Sequence, residues 1–271
     1  MSFEVCLGDT HCRVLQAPRR LLSLPLPEDV KPPVEADVVL RTAERVGDLL
    51  GIEALTPKVL RMGPGQWMLV FFHGQVRQHR AATYEDGQPG MVTYTPRQVA
   101  MVVIDQPHHL FYVSASKKHQ VPALLPALNG TLFPGRAMAE PFLSYCFDLD
   151  VLPALRPSDR HPMAGTYPWR NLTLKSISHV EPGSNAAVTK TDWVMDGFEL
   201  LEQQGFVWPR HLMDAGLQFE PVGADRGFTA SFFQGQGIVR TALSARTLSS
   251  VAGLVQLCSH QGRATQIVEV L

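Results

Sequence analysis

Two acidic residues one position apart could bind a divalent cation. Asp148 and Asp150 alternate with apolar residues in Phe147-Asp148-Leu149-Asp150-Val151, and in a strand this alternation places both carboxylates on one face. Such a pair can hold Mg²⁺ or Mn²⁺ for phosphoryl or glycosyl transfer, with Asp159 or His161 as a third group. The alternative is structural, because an aspartate such as Asp150 before an apolar segment is typical of a helix N-cap.

An aromatic strand closer to the C-terminus offers a different chemistry. Phe228 lies in Arg226-Gly227-Phe228-Thr229-Ala230-Ser231-Phe232-Phe233, and an exposed ring can stack on a single-stranded base for about 1 to 3 kcal/mol. Arginines would neutralise the phosphates. Those predicted to surround the ring with positive charge are Arg210, Arg226, Arg240, Arg246 and Arg263. The opposing interpretation places Phe228 and Phe232 in the core, with the arginines as solvated rim residues.

The same segment resembles the strand signature of RNA-recognition-motif domains, K/R-G-F/Y-G/A-F-V-x-F/Y, at its first three positions and its last. The fifth position, where that family places a second stacking ring, is Ala230, and Thr173 stands where the family stacks a ring on its first strand. The resemblance covers roughly the last hundred residues. It implies a ferredoxin-like fold that recognises RNA on one sheet face, with Phe228 as the stacking platform.

The composition excludes several classes of protein. With 45% hydrophobic and 18% charged residues, the chain has enough apolar material to fold and is not intrinsically disordered. Because 24 Lys+Arg residues balance 25 Asp+Glu residues, a polyanion must be bound by a local patch and not by bulk charge. Neither an apolar run of roughly 18 residues nor a basic leader is present. We therefore predict a cytoplasmic protein without membrane contact.

Motifs for common enzyme classes are absent from the sequence. There is no phosphate-binding loop, nucleophile elbow or dinucleotide fingerprint. His108-His109 precedes a predicted strand and could act as a general acid or base, although surface histidines are far commoner. No C-x-x-C occurs, so we predict reduced thiols for Cys6, Cys12, Cys146 and Cys258. We expect no cofactor and no catalytic activity.

Hydrophobic periodicity predicts an α+β fold with two domains. In the first, residues 1–135, a helix over Val34–Leu50 ends at Gly51, and a second helix covers Lys117–Leu128. Between them an antiparallel meander is predicted over Gln66–Phe72, Val76–Thr83, Met91–Thr95, Val99–Ile104 and Leu110–Ser114. Prolines from residue 25 to 33 indicate an extended surface segment, and further prolines predict a junction over 136–168.

The second predicted domain covers residues 169–271. Its predicted helices are Thr191–Gln204 and a segment capped by Ser244, and its predicted strands are Leu172–Val180, Gly216–Val222, Gly227–Phe233, Ile238–Leu243 and Thr265–Val270. This β-α-β-β-(β)-α-β order predicts a ferredoxin-like, split βαβ domain whose helices cover one sheet face and leave the other available.

From these features we predict a binding module for RNA or single-stranded nucleic acid. Two α+β domains of this size also resemble, in outline, the repeat-associated RNA-binding proteins of bacterial CRISPR systems, which implies a subunit of a bacterial ribonucleoprotein assembly. Two alternatives remain open. One is a metal-dependent enzyme that uses Asp148 and Asp150, and the other is an assembly protein whose sheet face contacts another protein.

Overall fold

A computed structural model describes most of the chain. The described residues are 19–26, 35–52, 55–74, 78–83, 86–94, 97–114, 120–132, 143–144, 147–163, 165–180, 188–205, 207–242, 244–259 and 265–266. The helices are α1 (Ala36–Leu50), α2 (Gln120–Leu132), α3 (Pro157–Arg160), α4 (Gly197–Gln204) and α5 (Ala245–Ser259). The 3-10 helices cover Gln106–His108 and Leu149–Ala154.

The strands of the first half are β1 (Arg19–Pro25), β2 (Thr56–Gly63), β3 (Gln66–Gly74), β4 (Gln78–Thr83), β5 (Pro89–Tyr94), β6 (Arg97–Asp105) and β7 (Leu110–Ser114). Those of the second half are β8 (Leu143–Ser144), β9 (Trp169–Val180), β10 (Val188–Asp192), β11 (Leu212–Pro221), β12 (Phe228–Phe233), β13 (Ile238–Thr241) and β14 (Thr265–Gln266). The chain is therefore α+β, as predicted from the sequence.

One sheet joins the two halves of the chain. Its ten strands follow the order β10-β9-β11-β12-β13-β1-β7-β6-β3-β2, and β1 pairs with β13 on one side and β7 on the other. The consecutive apolar residues Leu21 and Leu22, with Leu24, are all buried, which is expected for a central strand with both faces covered. Pro25, the first proline of the predicted surface segment, is thus the last residue of a central strand. The predicted domain limits stay a prediction.

Two hydrophobic cores lie on opposite faces of this sheet. The first core extends along both halves of the sheet and includes Phe198 of α4 and Leu248 of α5. The second core lies mainly on the first half, where Val46 of α1 and Leu128 of α2 pack on the strands, and Ile238 of β13 packs against it. α1 ends at Gly51, whose φ of 65° is the left-handed conformation predicted for it.

The ferredoxin-like, split βαβ arrangement is not confirmed. Strands β9, β11, β12 and β13 form an antiparallel meander. In a split βαβ unit the two strands connected through the helix are parallel and another strand lies between them, whereas β9 and β11, on either side of α4 in the chain, pair directly and antiparallel. The last described strand, β14, pairs with β8 in a separate two-stranded sheet. The helices α4 and α5 do lie on one face of this part of the sheet, as that prediction required.

The helix predicted over Thr191–Gln204 begins later than expected. Residues Val188–Asp192 form β10, and α4 starts at Gly197 after Asp196, whose side chain accepts a hydrogen bond from the Phe198 N–H. The spacing of Val194, Phe198 and Leu201 in the sequence predicts one buried stripe of this helix, but Val194 has 97% of its surface exposed. The stripe was therefore wrong at its first position.

Candidate functional site

The two faces of β12 have different environments. Ala230 and Phe232 are fully buried in the first core, and Phe228 packs against the same core. The Phe228 ring stacks on the buried Phe219 ring, with centroids 5.1 Å apart and planes 7° apart. Because side chains alternate along a strand, Phe233 points to the opposite face. The prediction that Phe228 faces solvent is wrong. Phe228 lies on the same side of β12 as the buried residues Ala230 and Phe232, and this side faces the helices.

The opposite face of β9–β13 is polar, and we call it the polar face. Strand register places its residues in rows, because directly paired residues in an antiparallel sheet lie on the same side. One row contains Lys190, Ser178, Asp214 and Phe233, and the next contains Asp192, Ser176, Gly216, Ser231, Arg240 and Arg20 of β1. Helices α4 and α5 pack on the other side of these strands.

Positive charge and an aromatic ring meet at one end of the polar face. Arg20 and Arg240 are directly paired across β1 and β13, and both are exposed. The guanidinium carbon of Arg20 lies 5.0 Å from the centroid of the Phe233 ring, within the range of a cation–π contact. Phe233 itself is half-buried. This corner can offer an aromatic surface and two guanidinium groups to an anionic, flat ligand.

Asp214 brings a carboxylate next to this corner. Its Cα is paired directly with that of Phe233, and its Oδ1 accepts a hydrogen bond from Ser178 Oγ at 3.2 Å. Partial burial raises the pKa of Asp214, while the hydrogen bond from Ser178 and the charges of Lys190 and Arg20 oppose this rise. The carboxylate therefore lies between two cations on a surface that is partly shielded from water.

The predicted nucleic-acid-binding arginines are dispersed around the molecule. Arg240 lies on the polar face, whereas Arg246 lies in the first turn of α5, on the other side of the sheet. Arg210 is exposed just before β11, at the end of the sheet where Phe233 lies, and Arg226 is exposed just before β12, at the far end. Arg263 lies outside the described residues.

The two candidate metal ligands each have a structural partner. Asp148 is the N-cap of the 3-10 helix Leu149–Ala154, and its side chain accepts a hydrogen bond from the Asp150 N–H at 3.0 Å. Asp150 accepts one from Trp208 Nε1 at 3.0 Å. The prediction that Asp150 is the N-cap is therefore wrong by two residues, because Asp148 takes that position. His161 is exposed at the end of α3. Within the described residues, no group of three or more His, Cys, Asp or Glu side chains could hold a metal ion.

The histidine pair suggested as an acid or base lies in the turn between β6 and β7. His108 Nδ1 is 2.8 Å from Asp105 Oδ1, and Asp105 is fully buried and also accepts a hydrogen bond from Gln66 Nε2 at 3.1 Å. His109 adopts a left-handed conformation with φ of 53°. These contacts connect the turn to β3, because the buried Asp105 Oδ1 contacts both His108 of the turn and Gln66 of β3, while Asp105 Oδ2 is buried without a hydrogen-bond partner in the described part of the chain.

Known proteins give no indication of what this site does. No protein-family model matches the chain, and no curated protein matches it. Among the helices that the structure describes, none has the length and apolar character to cross a membrane.

Sequence reasoning missed most residues of the polar face. No role was predicted for Arg20, Ser178, Lys190 or Asp214. Phe233 was quoted as the last position of the signature but was given no role. The alternation of residues along β12 could have shown which ring faces the core, because the more apolar of the two sets is expected there. That set is Phe228, Ala230 and Phe232, and the other is Thr229, Ser231 and Phe233.

Proposed function

We propose that the polar face binds single-stranded nucleic acid, with Phe233 as the base-stacking ring and Arg20 and Arg240 as the phosphate-binding groups. The observation that carries this proposal is the direct pairing of two exposed arginines beside a half-exposed ring. Like charges opposite each other on neighbouring strands destabilise a sheet. An anion bound between them would remove that repulsion.

Stacking and phosphate neutralisation are the two contributions that sequence-tolerant single-strand binding combines. On the polar face they adjoin, because the Arg20 guanidinium lies over the Phe233 ring, and we propose that a base stacks on the exposed part of this half-buried ring that Arg20 does not cover. The small side chains Ser176, Gly216 and Ser231 form the adjacent part of the surface. A strand of bases can therefore lie close to the sheet without displacing bulky residues.

The charge balance of the whole chain sets the expected strength of binding. With a formal net charge of -1, long-range attraction to a polyanion is weak, so affinity must come from local contacts. A module of this kind would act as a non-catalytic subunit of a bacterial ribonucleoprotein assembly in the cytoplasm. Like the binding mode of RNA-recognition-motif domains, the proposed binding uses one face of a sheet. The stacking ring is Phe233, at the last position of the signature.

The test uses fluorescence anisotropy with a labelled oligouridylate and a labelled oligothymidylate of about seven nucleotides. Phe233→Leu should weaken binding by roughly 5-fold or more, since stacking on one ring contributes about 1 to 3 kcal/mol. Phe228→Leu is the matched control, because Phe228 lies on the same strand but packs on the core. It should leave affinity within about twofold of the wild type at a temperature where both variants are folded.

A salt titration tests the arginines. Arg20→Met and Arg240→Met should each reduce the slope of log affinity against log salt by about 0.7, the value for one phosphate contact on a single strand. Equal weakening by Phe233→Leu and Phe228→Leu, or a salt slope that neither arginine changes, would contradict the proposed site. Absence of wild-type binding at low salt would contradict the function itself.

A further inference from the structure

The geometry points to guanine as the base read on the polar face, with Asp214 as the residue that reads it. We infer this from the position of Asp214 beside the proposed stacking ring, so the inference depends on the function proposed above. Asp214 and Phe233 are directly paired in register, which brings their Cβ atoms to about 4.5 to 5.5 Å on one face of the sheet. A base stacked on the ring therefore has one edge within reach of the carboxylate.

The orientation of the carboxylate is fixed from the neighbouring strand. Ser178 Oγ donates to Asp214 Oδ1 at 3.2 Å, and Ser178 is itself buried. An ionised carboxylate is an acceptor only, with about four lone-pair sites on its two oxygens. After accepting from Ser178, Asp214 can still accept hydrogen bonds from a ligand, and it can offer that ligand no donor.

This acceptor-only group distinguishes the four bases. The Watson–Crick edge of guanine presents two adjacent donors, N1–H and the N2 amino group, which match the two oxygens of one carboxylate. Adenine and cytosine present one amino donor beside an acceptor nitrogen, and uracil presents one N–H between two carbonyl oxygens. In the last case the carboxylate would face like partial charges, so guanine is favoured most and uracil least.

The floor beside Asp214 permits the required close approach. Gly216 is the next residue of β11 on the same face, and a Cβ added there would lie 2.3 Å from Ser176 Oγ. A glycine within a strand commonly marks a place where another group approaches the backbone closely. Here the approaching group is Ser176 Oγ. The surface next to Asp214 is therefore lined by the small side chains of Ser176 and Ser231, and a planar purine can lie over them while its edge contacts Asp214.

The experiment compares oligouridylates that differ at one central nucleotide, measured by anisotropy with the full-length chain. The wild type should bind the oligomer with a central guanosine about tenfold more tightly than all-uridine, with adenosine and cytidine between them. Inosine, which keeps N1–H but lacks the N2 amino group, should lose about threefold of that preference. Asp214→Asn should abolish the guanosine preference and tighten all-uridine binding, because a negative charge no longer faces the uracil carbonyl oxygens.

Asp192→Asn is the matched control variant. Asp192 lies on the same face and is exposed, in an ion pair with Lys190 at 2.8 Å, so its replacement removes one negative charge without touching the base-reading position. The control should retain the guanosine preference. A guanosine preference that survives Asp214→Asn, or that is lost equally in Asp192→Asn, would overturn the inference about Asp214. The proposed function would still stand in that case, provided that binding depends on Phe233. If no oligomer binds in a Phe233-dependent manner, both are overturned.

Discussion

Arg20 and Arg240 stand directly opposite each other on adjacent strands, and both side chains are exposed. Because like charges in this position repel, Arg240→Gln should stabilise the folded protein by a few tenths of a kcal/mol, up to about 1 kcal/mol. Urea unfolding at low ionic strength measures this change. The gain should shrink at high salt, because the charges are exposed and screening shortens their interaction.

The control for this prediction is Arg226→Gln, which removes an equally exposed guanidinium from the turn before β12. It should change the free energy of unfolding by less than about 0.5 kcal/mol, as ordinary surface substitutions do. If Arg240→Gln destabilises the protein, favourable contacts hold the arginine pair in place, and the pair does not indicate an anion-binding site.

The difference in stability between the Asp214→Asn variant and the wild type should depend on pH. The pKa of Asp214 is raised above its ordinary value of 3.8 mainly by burial, against Ser178, Lys190 and Arg20. The folded protein therefore binds this proton more tightly than the unfolded chain. The stabilisation from the protonated carboxyl is complete below pH 3.8 and is lost as the pH rises through the folded-state pKa.

At neutral pH Asp214 is ionised at a cost that asparagine does not have, so Asp214→Asn should melt at the same temperature as the wild type or higher. Toward pH 4 the difference between the two melting temperatures should fall. Thermal melts from pH 4 to 8 measure this, with Asp192→Asn as the exposed comparison. A variant that gains stability on acidification relative to the wild type would show that the carboxylate is stabilising in its ionised form.

Local patterns were sufficient to predict most elements of the fold. Leu110–Ser114 forms β7 with the predicted bounds, and the first predicted helix is present as α1 and ends at Gly51 as expected. These features depend on a few neighbouring residues, so the sequence contains them directly. The start of α4 was misjudged because Val194 fits a helical stripe by spacing alone, and only the tertiary structure shows that it is exposed.

The joining of the two halves could not be predicted in this way. β1 lies between β13 and β7, which are far from it in sequence and from each other. Such long-range pairing has no local signature, since it depends on which apolar strands can bury both faces together. The polar face follows from that pairing, because Arg20 reaches Arg240 and Phe233 only once β1 is placed next to β13.

The close contact of α5 with Trp169 should make Gly253 intolerant of substitution. A Cβ at Gly253 would lie 2.7 Å from Trp169 Cζ3, and Trp169 is fixed by stacking on Tyr167 and by edge contact with Phe219. Overpacking a core costs about 1 to 3 kcal/mol, partly offset by the better helix propensity of alanine. We expect Gly253→Ala to lose about 1 to 2 kcal/mol in urea unfolding.

A second glycine provides the comparison for that variant. The nearest atom to a Cβ at Gly216 is the terminal Ser176 Oγ, which can rotate away, so Gly216→Ala should cost less than Gly253→Ala. The reverse order would mean that α5 shifts easily on the first core, and that the Trp169 ring does not hold it in place.

Asp148 should matter to stability through its capping hydrogen bond. Its side chain accepts from the Asp150 N–H at 3.0 Å, and replacing an N-cap aspartate by alanine costs about 0.5 to 2 kcal/mol. Asp148→Ala should show this loss in urea unfolding, whereas Asp148→Asn, which keeps an acceptor oxygen, should lose only a few tenths of a kcal/mol. Equal losses in both variants would point to a role for the negative charge itself.

The thiol of Cys258 should be inert in the native protein. Cys258 is fully buried in the first core, and burial, with a smaller contribution from the Asp148 carboxylate, raises its pKa to about 12. Since the thiolate is the reactive form, iodoacetamide at pH 8 should leave Cys258 unmodified until urea unfolds the chain. Peptide mapping by mass spectrometry separates this cysteine from Cys6, Cys12 and Cys146, which lie outside the described residues. Rapid labelling of Cys258 under native conditions would mean that α5 opens readily and exposes the first core beneath it.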